Sequence, residues 1–150
     1  MSEKVYGICE NKCLKEVPTK EEIEKVQKET LETSDGKSSM KATFRRSGNV
    51  VCVEVEFNVP ANTTFSFISA GIVAPSFANW SGSAYENNPI RGHIYDQIDV
   101  SSDQYRTVTL YARKYGSDPN TAYVKLIGSV NNNDPYNSFE GYYTMTYIVD

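Results

Sequence analysis

The run VVCVEVEFNV, Val50 to Val59, constrains the fold more than any other stretch of the chain. Val51, Val53, Val55, Phe57 and Val59 fall on one side, and Cys52, Glu54, Glu56 and Asn58 on the other. A period of two matches a pleated strand, whereas a helix would scatter the same set around its axis. One side of this strand is therefore built for a core and the other for water or a shield. The chain has 150 residues, enough for one domain with a real core.

The flanking sequence repeats the pattern. MKATFRR places Met40, Ala42 and Phe44 on one side, and SGN at Ser47 to Asn49 reads as a tight hairpin turn. PANTT reads as a turn, and FSFISAGIVA as a strand or two, interrupted by Gly71 and ended by Pro75. GHIYDQIDV, YRTVTLYARKY, AYVKLIGSV and GYYTMTYIV read as further strands, separated by the turn-rich SSDQ, GSDPNT and NNNDPYNSFE. Short strands at regular spacing with polar turns predict an all-β fold, an antiparallel sandwich or barrel.

The first third differs. Residues 1 to 33 hold fourteen charged side chains and one aromatic, while ten of the eleven Tyr lie after residue 84. This divides the chain into an N-terminal segment, 1–36, and a β head, 37–150. VYGICENKCLKEV reads as a short hairpin turning near Glu10 to Lys12. In PTKEEIEKVQKETLET, Thr19 and Glu22 have the spacing of a capping box, which predicts a helix from Lys20 to Glu32. Its apolar positions, Ile23, Val26 and Leu31 with Thr30 beside them, form a narrow stripe suited to docking or to a short coiled-coil seam.

Composition narrows the function. Net charge is −4 without a basic stripe, which argues against nucleic acid as partner. No apolar run nears the length of a membrane span, and MSEKVYGICENK has no apolar signal core, so neither membrane insertion nor secretion is expected. On that reading the sequons at Asn62 and Asn79 are chance matches. Three Cys is an odd count for a disulfide framework. Cys9 and Cys13 read as packing residues rather than half of a metal site, and no metal or other cofactor is expected.

Catalysis finds no support, so an enzyme is not expected. His93 is the sole His and no Ser lies in a nucleophile elbow. Glu54 and Glu56 share a strand side, a spacing at which two carboxylates could cooperate, but a solvated face explains them equally. Asp96, Asp99 and Asp103 lack the Gly and closing Glu of a calcium loop. What remains is aromatic and amide-rich loop sequence, above all NWSGSAYENNPIR from Asn79 to Arg91. Flat rings beside amides and charges suit sugar or protein contact. The candidate ligand-binding residues are Trp80, Tyr85, Asn87, Asn88, Arg91, Tyr115, Asp118, Asn120, Asn132 and Tyr136, with Trp80 equally readable as a plug for the core.

The run SGNVVCVEVEFNVPANTTFSFISAGIVAP, followed by GHIYDQIDV, VKLIGSV and FEGYYTMTYIV, resembles the C-terminal domains of phage and prophage tail-fibre or receptor-binding proteins. The leader VYGICENKCLKEVPTKEE is similar to N-terminal pieces of structural proteins from phages of Gram-positive hosts. The Gly…Pro segment departs from the LPxGYxP-like form common in such domains. The resemblance implies a jelly-roll-like β-sandwich and a homotrimer, with Ile23, Val26 and Thr30 facing a threefold axis. It also implies a head that attaches to a bacterial surface saccharide or protein, beside other tail or baseplate proteins. The location is then the virion tail, or the cytoplasm before assembly. No individual binding residue carries over, because the loops of such heads vary. A stand-alone carbohydrate-binding module or lectin, and a structural adaptor of a tail-like particle, are the alternatives.

Overall fold

The computed structural model describes residues 5–8, 14–17, 26–67, 71–79, 90–116 and 123–149, the first two by backbone alone. Ile23, Trp80, Tyr85, Asn87, Asn88, Asp118, Asn120, Cys9 and Cys13 lie outside the described residues, so expectations placed on them stay as expectations.

The architecture is all-β and antiparallel. β1 (Val5–Ile8) and β2 (Leu14–Val17) form the N-terminal hairpin, with Val5 opposite Val17. The other strands are β3 (Gln27–Ser34), β4 (Ser39–Ser47), β5 (Val50–Val59), β6 (Thr63–Ser66), β7 (Ile72–Val73), β8 (Ile90–Ser101), β9 (Gln104–Tyr115), β10 (Tyr123–Asn132) and β11 (Phe139–Ile148). Sheet I has the order β11-β5-β4-β3. Sheet II has the order β6-β10-β9-β8, with β7 also on β10. The one helical element among the described residues is a 3-10 turn at Ser76–Ala78.

The alternation read from Val50 to Val59 holds residue by residue: Val51, Val53, Val55, Phe57 and Val59 are all buried. They share one core with Met40, Ala42 and Phe44 of β4, Val108, Leu110 and Ala112 of β9, and Val124, Leu126 and Val130 of β10. Both sheets feed this core, which makes the fold sandwich-like. Each such Val or Phe contributes about 1.5–3 kcal/mol by leaving water. Tyr143 of β11 donates its hydroxyl to Asp96 of β8 at 2.7 Å, which ties the sheets along one side.

One expectation needs correction. The helix from Lys20 to Glu32 is not formed over its described part, because Gln27 to Ser34 is strand β3. It pairs with β4 from Gln27–Arg46 to Ser34–Ser39. Asp35 closes the hairpin, accepting hydrogen bonds from the Lys37 and Ser38 amides at 2.9 and 2.7 Å. Eight residues of ladder, with Leu31 packed on the core, outweigh a helical preference whose apolar stripe was narrow. Residues 27–34, assigned to the N-terminal segment by sequence, are thus bonded into sheet I. Val26, just before β3, is exposed, and Thr30 shares a 2.9 Å hydroxyl contact with Thr43 instead of lying on a helical seam.

The finer expectation of a jelly roll, with two Greek keys wrapped across the sheets, is not shown by the strand order. Here β3-β4-β5 and β8-β9-β10 are each meanders within one sheet, joined by crossings from β5 to β6 and from β10 to β11.

Candidate functional site

Strand alternation gives each sheet an outer side, and the two outer sides differ in chemistry. On sheet II, β9 sends Val108, Leu110 and Ala112 inward. Thr107, Thr109, Tyr111, Arg113 and Tyr115 therefore face outward. Lys114 takes the inward side at the end of β9, is fully buried, and is engaged with a neighbour. Register sets the outward residues in rows across the sheet. Tyr115 stands opposite Tyr123, Arg113 opposite Lys125 and Ile90, Tyr111 opposite Ile127 and His93, and Thr109 opposite Ser129 and Tyr95.

Aromatic rings dominate those rows. His93 and Tyr111 stack at 5.0 Å with planes 12° apart. Tyr115 and Tyr123 stack at 5.7 Å with planes 16° apart, and the Arg113 guanidinium lies 5.8 Å from the Tyr115 ring. Gly128 in β10 makes the close strand approach beneath this surface possible. Its φ of +148° and its contact with the Thr109 carbonyl oxygen leave no room for a Cβ.

On sheet I the outward residues are paired by charge. Glu32, Lys41, Glu56 and Tyr142 form one row across β3, β4, β5 and β11. Lys41 meets Glu56 at 3.4 Å, and Arg45 is bonded to Glu54. The two carboxylates considered for catalysis are therefore each held by a cation. Desolvation, and then the charge of Glu54 close by, push the Tyr142 hydroxyl above the ordinary tyrosine value. An open hollow of about 470 Å³ lies on this side, its lining including Glu140, Asn58 and Tyr142. Gly141 leaves its inner side free for the Phe57 ring, which also stacks on Tyr143 at 5.7 Å.

A polar knot closes the far end of the molecule. Asn132, fully buried, donates to the carbonyls of Val59, Pro60 and Asn137 at 3.2, 3.0 and 2.9 Å. Its side-chain oxygen accepts from Arg106 Nε at 3.1 Å. Arg106 Nη2 also reaches Asp134 at 3.0 Å. The Tyr136 amide bonded to the Asp134 carboxylate, aided by Asn137 and Arg106, holds that carboxyl below its usual range. Asn132 is thus a buried structural tie.

The candidate residues named from sequence divide accordingly. Arg91 and Tyr115 stand at the end of sheet II where Tyr115 pairs with Tyr123. Tyr136 is 87% exposed but follows Asn132, at the opposite end. Sequence reading did not single out Tyr111, Arg113, Tyr123 or Lys125, and named His93 only as the sole His in the case against catalysis. The spacing Tyr111-Arg113-Tyr115 was visible as a period of two. Its partners on β8 and β10 were not, because they depend on register. Comparison with known protein families, curated proteins and solved structures found no match.

Proposed function

We propose that this chain is a receptor-binding head of the phage or prophage tail-fibre type. In this reading it assembles as a homotrimer and attaches to a saccharide on a bacterial surface. The outer side of sheet II, around Tyr111, Tyr115 and Tyr123, is the contact surface. The supporting observation is the pair of flat ring stacks, His93–Tyr111 and Tyr115–Tyr123, on the outer side of sheet II. Rings of this kind offer area and a polar tip at small entropy cost, and sugar rings present C–H faces to them. The resemblance to tail-fibre heads, carried by residues 47–75 and by the Tyr-rich last strand, supports the same class.

Binding of the labelled chain to Gram-positive cells and to their isolated wall polysaccharides tests this. Tyr111→Ala and Tyr123→Ala are expected each to weaken binding about tenfold, equivalent to about 1.4 kcal/mol. Light scattering is expected to give a trimer mass. Absence of binding to cells and polysaccharides alike, with a monomer in solution, overturns the reading.

A further inference from the structure

The outer side of sheet I is not flat. Its hollow of about 470 Å³ has the size of a small-ligand site. Two rows of the sheet build it. Lys41, Glu56 and Tyr142 stand in one, on β4, β5 and β11, and Asn58 and Glu140 in the next, on β5 and β11. Glu56 and Asn58 are two residues apart on β5, so the rows lie about 6.8 Å apart. Each row contributes a donor beside an acceptor. Lys41 Nζ lies 3.4 Å from Glu56 Oε2, and Asn58 Nδ2 donates to Glu140 Oε1 at 3.4 Å. Both contacts are long for a hydrogen bond. An ammonium has three donors, an amide nitrogen two, and a carboxylate about four acceptor positions. One long contact therefore leaves most of each pair's capacity for a ligand. Tyr142, 58% exposed, adds an aromatic ring directly opposite Glu56 and on the same side of β11 as Glu140.

A donor beside an acceptor is what two adjacent hydroxyls require, since each hydroxyl both donates and accepts. A hexose carries such hydroxyls around its rim and C–H groups on its faces, and a Tyr ring offers the apolar area to meet them. We propose that this hollow binds a neutral hexose unit, with its hydroxyls held by Lys41–Glu56 and Asn58–Glu140 and one C–H face against Tyr142. The site is separate from the attachment surface on sheet II and does not depend on it. A cation is a poorer occupant, because the hollow already holds the Lys41 ammonium among its carboxylates.

Titration of the isotope-labelled full chain with methyl glucoside, methyl galactoside and methyl mannoside, followed by NMR, tests the inference. At least one is expected to shift the backbone amides of Lys41, Glu56, Asn58 and Tyr142, with Kd on the order of millimolar. Because the ligand is uncharged, that Kd should hold between about 50 and 300 mM salt. Cyclohexanol, which lacks adjacent hydroxyls, and a capped lysine are each expected to bind about tenfold more weakly. Tyr142→Ala and Glu140→Ala should each lose about tenfold in affinity, while Tyr111→Ala on sheet II leaves it unchanged. The amide spectrum of each variant reports whether it is folded. Any of three results overturns the inference: no glycoside shifts those amides, the folded Tyr142→Ala and Glu140→Ala variants bind as the parent does, or cyclohexanol or capped lysine binds as tightly as the sugar. Glycoside shifts in the hollow without any attachment to cells or wall polysaccharides would defeat the attachment reading and leave this site standing.

Discussion

The two outer sheet surfaces rest on the same core and the same pleat, yet treat charge in opposite ways. Sheet I sets Lys41 beside Glu56 and Arg45 beside Glu54. Sheet II sets Arg113 opposite Lys125 and fills the neighbouring rows with Tyr and His. Inward positions have one task, burial, and both sheets meet it with Val, Leu, Phe and Ala. Outward positions carry no such demand, so their chemistry records what each side faces. The outward charges of sheet I are matched in described cross-strand pairs, whereas the described outward rows of sheet II are built mainly from stacked rings.

The largest effect is expected beneath the sheet II surface. Gly128→Val would force a side chain into the Thr109 carbonyl at a φ that other residues rarely adopt. A loss on the order of 4 kcal/mol is expected, read as a lower midpoint in urea. An unchanged midpoint would show that β9 and β10 can separate locally, and that the ring rows do not need this approach. Next comes Asn132→Ala, which strands the carbonyls of Val59, Pro60 and Asn137. About 3 kcal/mol is expected, with the sheet II surface intact as judged by ligand binding.

Acid offers a gentler probe. Asp134 has its carboxyl pKa depressed by the Tyr136 amide, Asn137 and Arg106. The stability its ionised form contributes is present above the ordinary carboxylate value and is lost as pH falls through the lower folded value. Thermal midpoints should therefore decline below about pH 4, and Asp134→Asn should flatten that part of the decline. The smallest effect belongs to sheet I. Glu56→Gln removes an exposed pair with Lys41 and should cost less than about 1 kcal/mol, without altering ligand binding on sheet II. A marked loss of binding there would mean that the two surfaces are coupled through the core.

Much of the fold was legible in the sequence because burial imposes a period. Val51 through Val59 and Met40 through Phe44 announced their inward sides directly. The turn at Gly48 and Asn49 was equally plain, since Gly48 has a φ of +60°. Gln27 to Ser34 was misread because its helical signals are local, whereas the pairing with β4 that makes it a strand is a contact between segments. The candidate surface was legible only in part. Arg91 and Tyr115 could be picked as loop-proximal aromatic and basic residues. Tyr111, Arg113, Tyr123 and Lys125 sit within strands, where Tyr is ordinary.

The sequence by itself determined that the head is all-β and which sides of β4 and β5 are buried, because side-chain alternation is a property of one strand alone. Tertiary structure decided which strands are neighbours, in what register and in which sheet. Only that could place Arg113 against Lys125, seat His93 on Tyr111, and turn Asn132 from a surface amide into the tie that holds three backbone carbonyls. Cross-strand pairing is a relation between distant segments, and no single stretch of sequence encodes its partner.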